Sequence, residues 1–212
     1  MNLYDTRLDF ARGLIRHWLD IRGGALVPLE AEIDPNELAP IFDSLGMIDL
    51  GLPYHMAVEF AGERLRKRFG RDLQQVNWLD LVPPAVRDAG KIARERARRM
   101  PCAYYHSFTV SRADAPAVTV ETLALPLRRR FAAVPGAVIV VTQDDSAETG
   151  WLTASARLAH FSCKFVDLEY PFVRLGWRSC AVHPLLQNSR PSESRKVDRD
   201  GNLQIVGTAK TT

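Results

Sequence analysis

Between residues 5 and 22 the apolar side chains Leu8, Ala11, Ile15, Trp18 and Ile21 recur every three or four positions, which places them on one stripe of an α-helix. Asp5 is a natural N-cap and Gly23-Gly24 a natural stop. Such a stripe must either cover a sheet or meet a partner. After the turn signal Ile33-Asp34-Pro35, which opens a short helix that Pro40 interrupts, the period changes. Leu45 to Leu50 reads as a strand, Gly51-Leu52-Pro53 as a tight turn, and Tyr54 to Ala61 as a second strand. In that second strand Met56, Val58 and Phe60 point one way and Ala57, Glu59 and Ala61 the other. Two strands joined by a short turn predict an antiparallel hairpin.

A charged helix from Glu63 to Phe69 closes at Gly70, and a loop runs through Pro83-Pro84. From Ala85 to Met100 the apolar Ala89, Ile92, Ala93, Ala97 and Met100 alternate with Arg87, Lys91, Arg94, Arg96, Arg98 and Arg99, an amphipathic helix with a basic solvated side, stopped by Pro101. Strands follow at Ala103 to Val110, Val118 to Leu127 and Ala137 to Thr142. Helices grouped between two hairpin-like sets predict an α+β domain whose antiparallel sheet is covered on one face. Beyond Asp145 the pattern loosens: 152–165 suits a helix or a strand, and 187–212 is rich in Ser, Arg, Asp and Gly with little periodicity. The expected division is a helix over 1–24, a domain over 25–145 and a partly disordered extension over 146–212.

Composition changes this picture little. Hydrophobic residues make up 46% of the chain and charged residues 25%, enough of each for a globular core with a polar surface. The formal charge of +3 is unevenly spread, because residues 1–150 hold 19 Lys and Arg against 20 Asp and Glu while residues 151–212 hold 9 against 5. A diffuse surplus in the tail is a poor nucleic-acid footprint, so nucleic acid is not an expected partner. Three cysteines spread over a long chain do not form a disulfide framework. Residues 1–9 lack the apolar core of a secretion signal, and no apolar run is long enough to span a bilayer, so a cytoplasmic location without a membrane is expected.

Several ordered motifs fit one family. Trp18, Arg22 and Gly23 end the first helix; Pro28, Ile33, Asp34 and Pro35 precede the first strand; Gly62, Arg64 and Leu65 and then Phe69-Gly70-Arg71-Asp72-Leu73 follow the second. Over residues 8–143 the chain resembles the stand-alone PAS-type proteins of alphaproteobacteria. The pattern departs from that family at Val58-Glu59-Phe60, where an Arg is usual, and at Gln74-Gln75, where a Gly is usual. The resemblance implies a five-stranded antiparallel sheet in the order 2-1-5-4-3, cupping a small pocket beside its helices, with the N-terminal helix added. It implies a non-enzymatic sensory or signalling module that binds a small ligand or a protein partner and passes the change through its N-terminal helix or a dimer interface. A homodimer and a separate signalling protein as output partner are expected, with Leu8, Ala11, Ile15 and Trp18 as the coupling or dimer stripe.

For the pocket, Phe60, Arg64, Arg71, Ile92, Tyr104, His106 and Phe108 are the candidate lining residues. Arg64 or Arg71 would pair with an anionic ligand, although Phe69-Gly70-Arg71-Asp72-Leu73 also reads as a purely structural turn. Residues 62–101 contain no His, which disfavours haem, and Cys102 lies in no Asn-Cys-Arg motif, which disfavours flavin. His160-x2-Cys163 and Cys180-x2-His183 have a spacing that a zinc site could use, without the usual ligand order of one. Hydrolase and phosphate-loop signatures are missing. Two alternatives remain open: a nucleic-acid-associated regulator using the Arg-rich helix and basic tail, and a small isomerase or hydratase built on an α+β cup, with Asp49, Glu59 and His106 as its titratable groups.

Overall fold

A computed structural model of the chain describes residues 6–82, 84–100, 102–111, 116–144, 157–166, 168, 194–197 and 203–206. A 3-10 turn at Thr6–Ala11 leads into helix α1, Arg12–Arg22. Strands β1 (Leu45–Asp49) and β2 (Val58–Ala61) follow, then helices α2 (Glu63–Phe69), α3 (Trp78–Leu81) and α4 (Pro84–Arg99). Strands β3 (Ala103–Ser111), β4 (Val118–Arg128), β5 (Pro135–Asp144), β6 (Arg157–Val166), β7 (Ser194–Val197) and β8 (Leu203–Val206) come after them. The described strands join one sheet in the order β2-β1-β5-β4-β3-β6-β8-β7, each neighbouring pair of strands being antiparallel.

The expected 2-1-5-4-3 order is therefore present, but the sheet does not stop at five strands. The free edge of β3 is a row of unpaired N–H and C=O groups, and β6 satisfies it from Ala103↔Val166 to Ser111↔Arg157. The second correction concerns the layers, because helices lie on both faces. On the outer face Leu8, Ala11, Leu14, Ile15 and Trp18 pack on Leu123, Leu125, Leu127, Ile139 and Val141. On the inner face Ala93 and Ala97 of α4 pack on Ile48, Tyr104, Ala124, Val138 and Val140. Strand periodicity sorts neighbouring residues to opposite layers, so Tyr104 and Tyr105 belong to different cores.

Covering the sheet is thus how the N-terminal stripe is used. Leu8, Ala11, Ile15 and Trp18 are all buried in the chain's own core and form no surface seam. Trp18 Nε1 donates to Pro126 O at 2.9 Å. Pro126 has no N–H to pair and lies just past the last β3–β4 pairing, Tyr104↔Ala124, which leaves its carbonyl to the indole. Arg22 lies over the Trp18 ring at 5.3 Å and donates to Leu168 O at 2.7 Å, fastening the residue beyond β6 to the end of α1. That accounts for Trp18 and Arg22 lying one helical turn apart.

The connection from β1 to β2 is longer than the predicted turn, since 54–57 leave the strand for a loop. Gly62 then permits a close approach: a Cβ there would meet the carbonyl oxygens of Phe42 and Asp43 at 2.4 and 2.5 Å. Gly70 closes α2 in the left-handed conformation, and Asp72 Oδ1 accepts from Gln74 N at 3.2 Å.

Candidate functional site

The inner face is built by alternation along β3, which turns Tyr104, His106 and Phe108 toward α4. Cross-strand neighbours complete the floor: Ala124, Thr122 and Val120 on β4, and Phe165, Cys163 and Phe161 on β6. Small residues at Ala89, Ala93 and Ala97, one every fourth position of α4, bring the helix backbone close above that floor. The aromatic side chains then crowd the imidazole, with the His106 ring 4.9 Å from Tyr104 and edge-on to Phe161 at 5.7 Å.

His106 Nε2 is buried and has no hydrogen-bond partner. Burial in this aromatic setting pushes its pKa down to about 4, because the imidazolium would lose its water. The same desolvation pushes the Cys163 thiol up to about 12 and Cys102 up to about 11, and raises Tyr104 as well. At neutral pH these four side chains carry no charge. The floor is therefore uncharged, and its one imidazole can exchange a hydrogen bond only in neutral form.

A charged wall stands at one end of this face. Arg68, on the buried stripe of α2 with Leu65, donates to Thr142 Oγ1 at 2.6 Å and from Nε to Asp144 Oδ2 at 3.2 Å, and its Nη2 also pairs with Asp144. Both side chains are almost fully buried, at 2% and 3% exposure. Sequence reasoning singled out Arg64 and Arg71 and missed Arg68, although Leu65 and Arg68 are three apart and share a helix face. Arg64 and Arg71 are exposed and line no cup.

Phe60 is a further correction. A bulge opposite Met47 and Ile48, which pair with Phe60 and Val58, inserts Glu59 and turns Phe60 to the outer layer, where its ring lies 4.8 Å from Phe42. Ile92 is 38% exposed and sits on the flank of α4 rather than on its sheet-facing side. Of the seven pocket candidates the structure brings together Tyr104, His106 and Phe108.

The titratable groups considered for catalysis are divided by the sheet. Asp49 and Glu59 share Arg129 with Glu30, at 3.4, 2.6 and 2.6 Å, whereas His106 faces inward. His160 and Cys163 are likewise separated: three residues apart on a strand, they face opposite sides, with His160 exposed and Cys163 buried. Cys180 and His183 lie outside the described residues. Among the described residues no group of three or more His, Cys, Asp or Glu is placed to hold a metal ion. Among them also, no helix is long and apolar enough to cross a membrane.

Part of the basic side of α4 serves the fold. Arg94 and Arg98 bond backbone carbonyls, Arg94 also lies 3.3 Å from Glu95, and Arg96 lies over the Phe165 ring at 3.8 Å, while Arg99 with Glu95 and Lys91 with Asp88 form exposed pairs along the helix.

No curated protein and no solved structure matches the chain. The family model described as PAS domain matches residues 9–139, from the outer-face helix into β5, and this chain belongs to that family.

Proposed function

We propose that the chain is a non-enzymatic sensory or signalling module that holds a small molecule against the inner face at His106 and transmits its presence to α1. Membership of the PAS domain family supports a sensory or signalling role in general. The observation that carries the finer reading is the buried, unpartnered His106 Nε2 among aromatic rings. A buried polar atom left without a partner costs about 1–3 kcal/mol, which a guest donating one hydrogen bond would recover.

Transmission needs no long route, because the sheet is one residue thick between guest and helix. Tyr104 and His106 alternate with Tyr105, and Ala124 with Leu123 and Leu125, so a strand displaced from the inner side moves the surface on which Leu14, Ile15 and Trp18 rest. A guest shifts α1 only as far as its affinities for the two packings differ. Output then passes to a separate protein.

Native mass spectrometry of the chain purified without denaturation, repeated with His106→Phe, tests this reading. A retained small molecule that the variant lacks, with slower amide exchange over residues 12–22 in the loaded form, is the expected result. If neither the purified chain nor the chain incubated with a total metabolite extract holds a molecule, or if α1 exchanges at one rate in both forms, the reading fails.

A further inference from the structure

Strand β6 adds to the inner face a stretch of floor that the expected five-stranded fold lacks, made of Phe161, Cys163 and Phe165. Over that stretch stands a cation. Arg96, in the last turn of α4, lies with its guanidinium carbon 3.8 Å from the centroid of the Phe165 ring. Phe165 pairs with Tyr104 across β6 and β3, and the Tyr104 ring is 4.9 Å from that of His106. The Arg96 charge reaches the floor itself: desolvation raises the thiols of Cys102 and Cys163, and Arg96 lowers both. Arg96, Phe165 and His106 are each half-buried, so the described helices leave part of all three uncovered.

Stacking on an aromatic ring uses the face of a guanidinium and leaves its N–H edge. Among the described residues no carboxylate or carbonyl is paired with that edge of Arg96. Glu95, the only acidic residue over 94–99, is turned to Arg94 at 3.3 Å and to Arg99 at 2.6 Å. What stands at the margin of the uncharged floor is thus an oriented fork, which a carboxylate meets with two parallel hydrogen bonds. A second polar contact is marked by the unpartnered Nε2 of His106. Tyr104, opposite Phe165, and His106 are two strand residues apart, about 7 Å, a span that one substituted ring covers, and the rings of Tyr104 and Phe161 offer it aromatic surfaces.

We infer that the guest of the inner face is a small aromatic carboxylic acid, its carboxylate held by Arg96, its ring beside Tyr104 and its far polar group bonded to His106 Nε2. This deepens the reading of His106 as a ligand site and rests on it for the far contact alone. Arg96 takes the anion-pairing role that the sequence suggested for Arg64 or Arg71, both of which are exposed. A phosphate dianion suits the place less well, because the fork is single and the last turn of α4 presents the negative end of the helix dipole.

Isothermal titration calorimetry of the full chain with para-hydroxyphenylacetate and indoleacetate, each beside its uncharged amide, tests the inference. At least one acid should bind, and its amide at least tenfold more weakly. Arg96→Gln should lower the affinity for that acid at least tenfold and leave that for the amide within twofold, whereas His106→Phe should lower both. Arg96→Lys keeps the charge without the fork and should fall between the parent and Arg96→Gln, which keeps the test valid if Arg96→Gln shifts the thermal midpoint. Equal affinity for acid and amide, acid binding that survives Arg96→Gln, or no binding of either acid overturns the inference. Native mass spectrometry of the same chains after incubation with a total metabolite extract separates it from the reading beneath it. An uncharged molecule held by the parent and by Arg96→Gln but not by His106→Phe overturns the acid and leaves the His106 site standing. An acid lost with Arg96→Gln but kept by His106→Phe supports the Arg96 fork while the His106 reading fails.

Discussion

Replacing His106 by Phe should remove a loss of stability that the parent undergoes between neutral and acid pH. The fold pushes the imidazole pKa from 6.5 down to about 4 by removing water from its charged form. Between those values the unfolded chain binds a proton that the folded chain refuses, so stability falls as pH falls. The contribution is present in full above pH 6.5 and is lost as pH drops through 4. At about 1.36 kcal/mol per pH unit the whole window amounts to about 3 kcal/mol. Phe fills a similar volume, does not titrate and leaves no orphan nitrogen beside Tyr104 and Phe161, so at pH 7 the ligand-free variant should match the parent or exceed it by about 1–2 kcal/mol. Urea denaturation of both proteins from pH 8 to pH 4 measures the difference, in which the carboxylates common to both cancel. Parallel stability profiles, or a variant less stable than the parent at pH 7 by more than about 1 kcal/mol, would refute the reasoning, the second because Nε2 would then have had a partner.

Other perturbations probe the frame that holds this site. Asp144→Asn removes the buried carboxylate charge beside Arg68 and should cost about 3–5 kcal/mol by urea denaturation, whereas Arg68→Met with Asp144→Leu should recover most of that loss; equal damage from single and double variants would contradict a coupled pair. Gly62→Ala must push back the carbonyls of Phe42 and Asp43, lowering stability by about 1–3 kcal/mol, and an unchanged thermal midpoint would count against that contact. Ile15→Glu places a carboxylate in the outer-face core and should unfold most of the chain at any protein concentration; a folded variant that differs only in oligomeric mass would instead mark a subunit seam.

The sequence by itself determined the elements. A stripe at 8, 11, 15 and 18, a left-handed closure at Gly70 and alternation through 103–110 are local rules of helix, cap and strand, and each reappears in the structure, although the α-helix begins only at Arg12 and Leu8 and Ala11 stand in the 3-10 turn before it. The inward set Tyr104, His106 and Phe108 was legible for the same reason, since a strand with one known inner residue fixes the rest by parity. Only the tertiary structure decided which layer each stripe served. One bulge at Glu59 turned Phe60 outward, a change of parity that no local pattern announces. Residues 157–166 became β6 because β3 had an open edge, and edges exist only once strands have been ordered. Arg68, Arg94 and Arg98 read as surface charges because a guanidinium is normally solvated, and their burial depends on Asp144, Leu50 and Gly51, partners more than forty residues away in the chain. Periodicity fixes which side of an element a residue occupies; what lies on that side is set by contacts between residues distant in sequence.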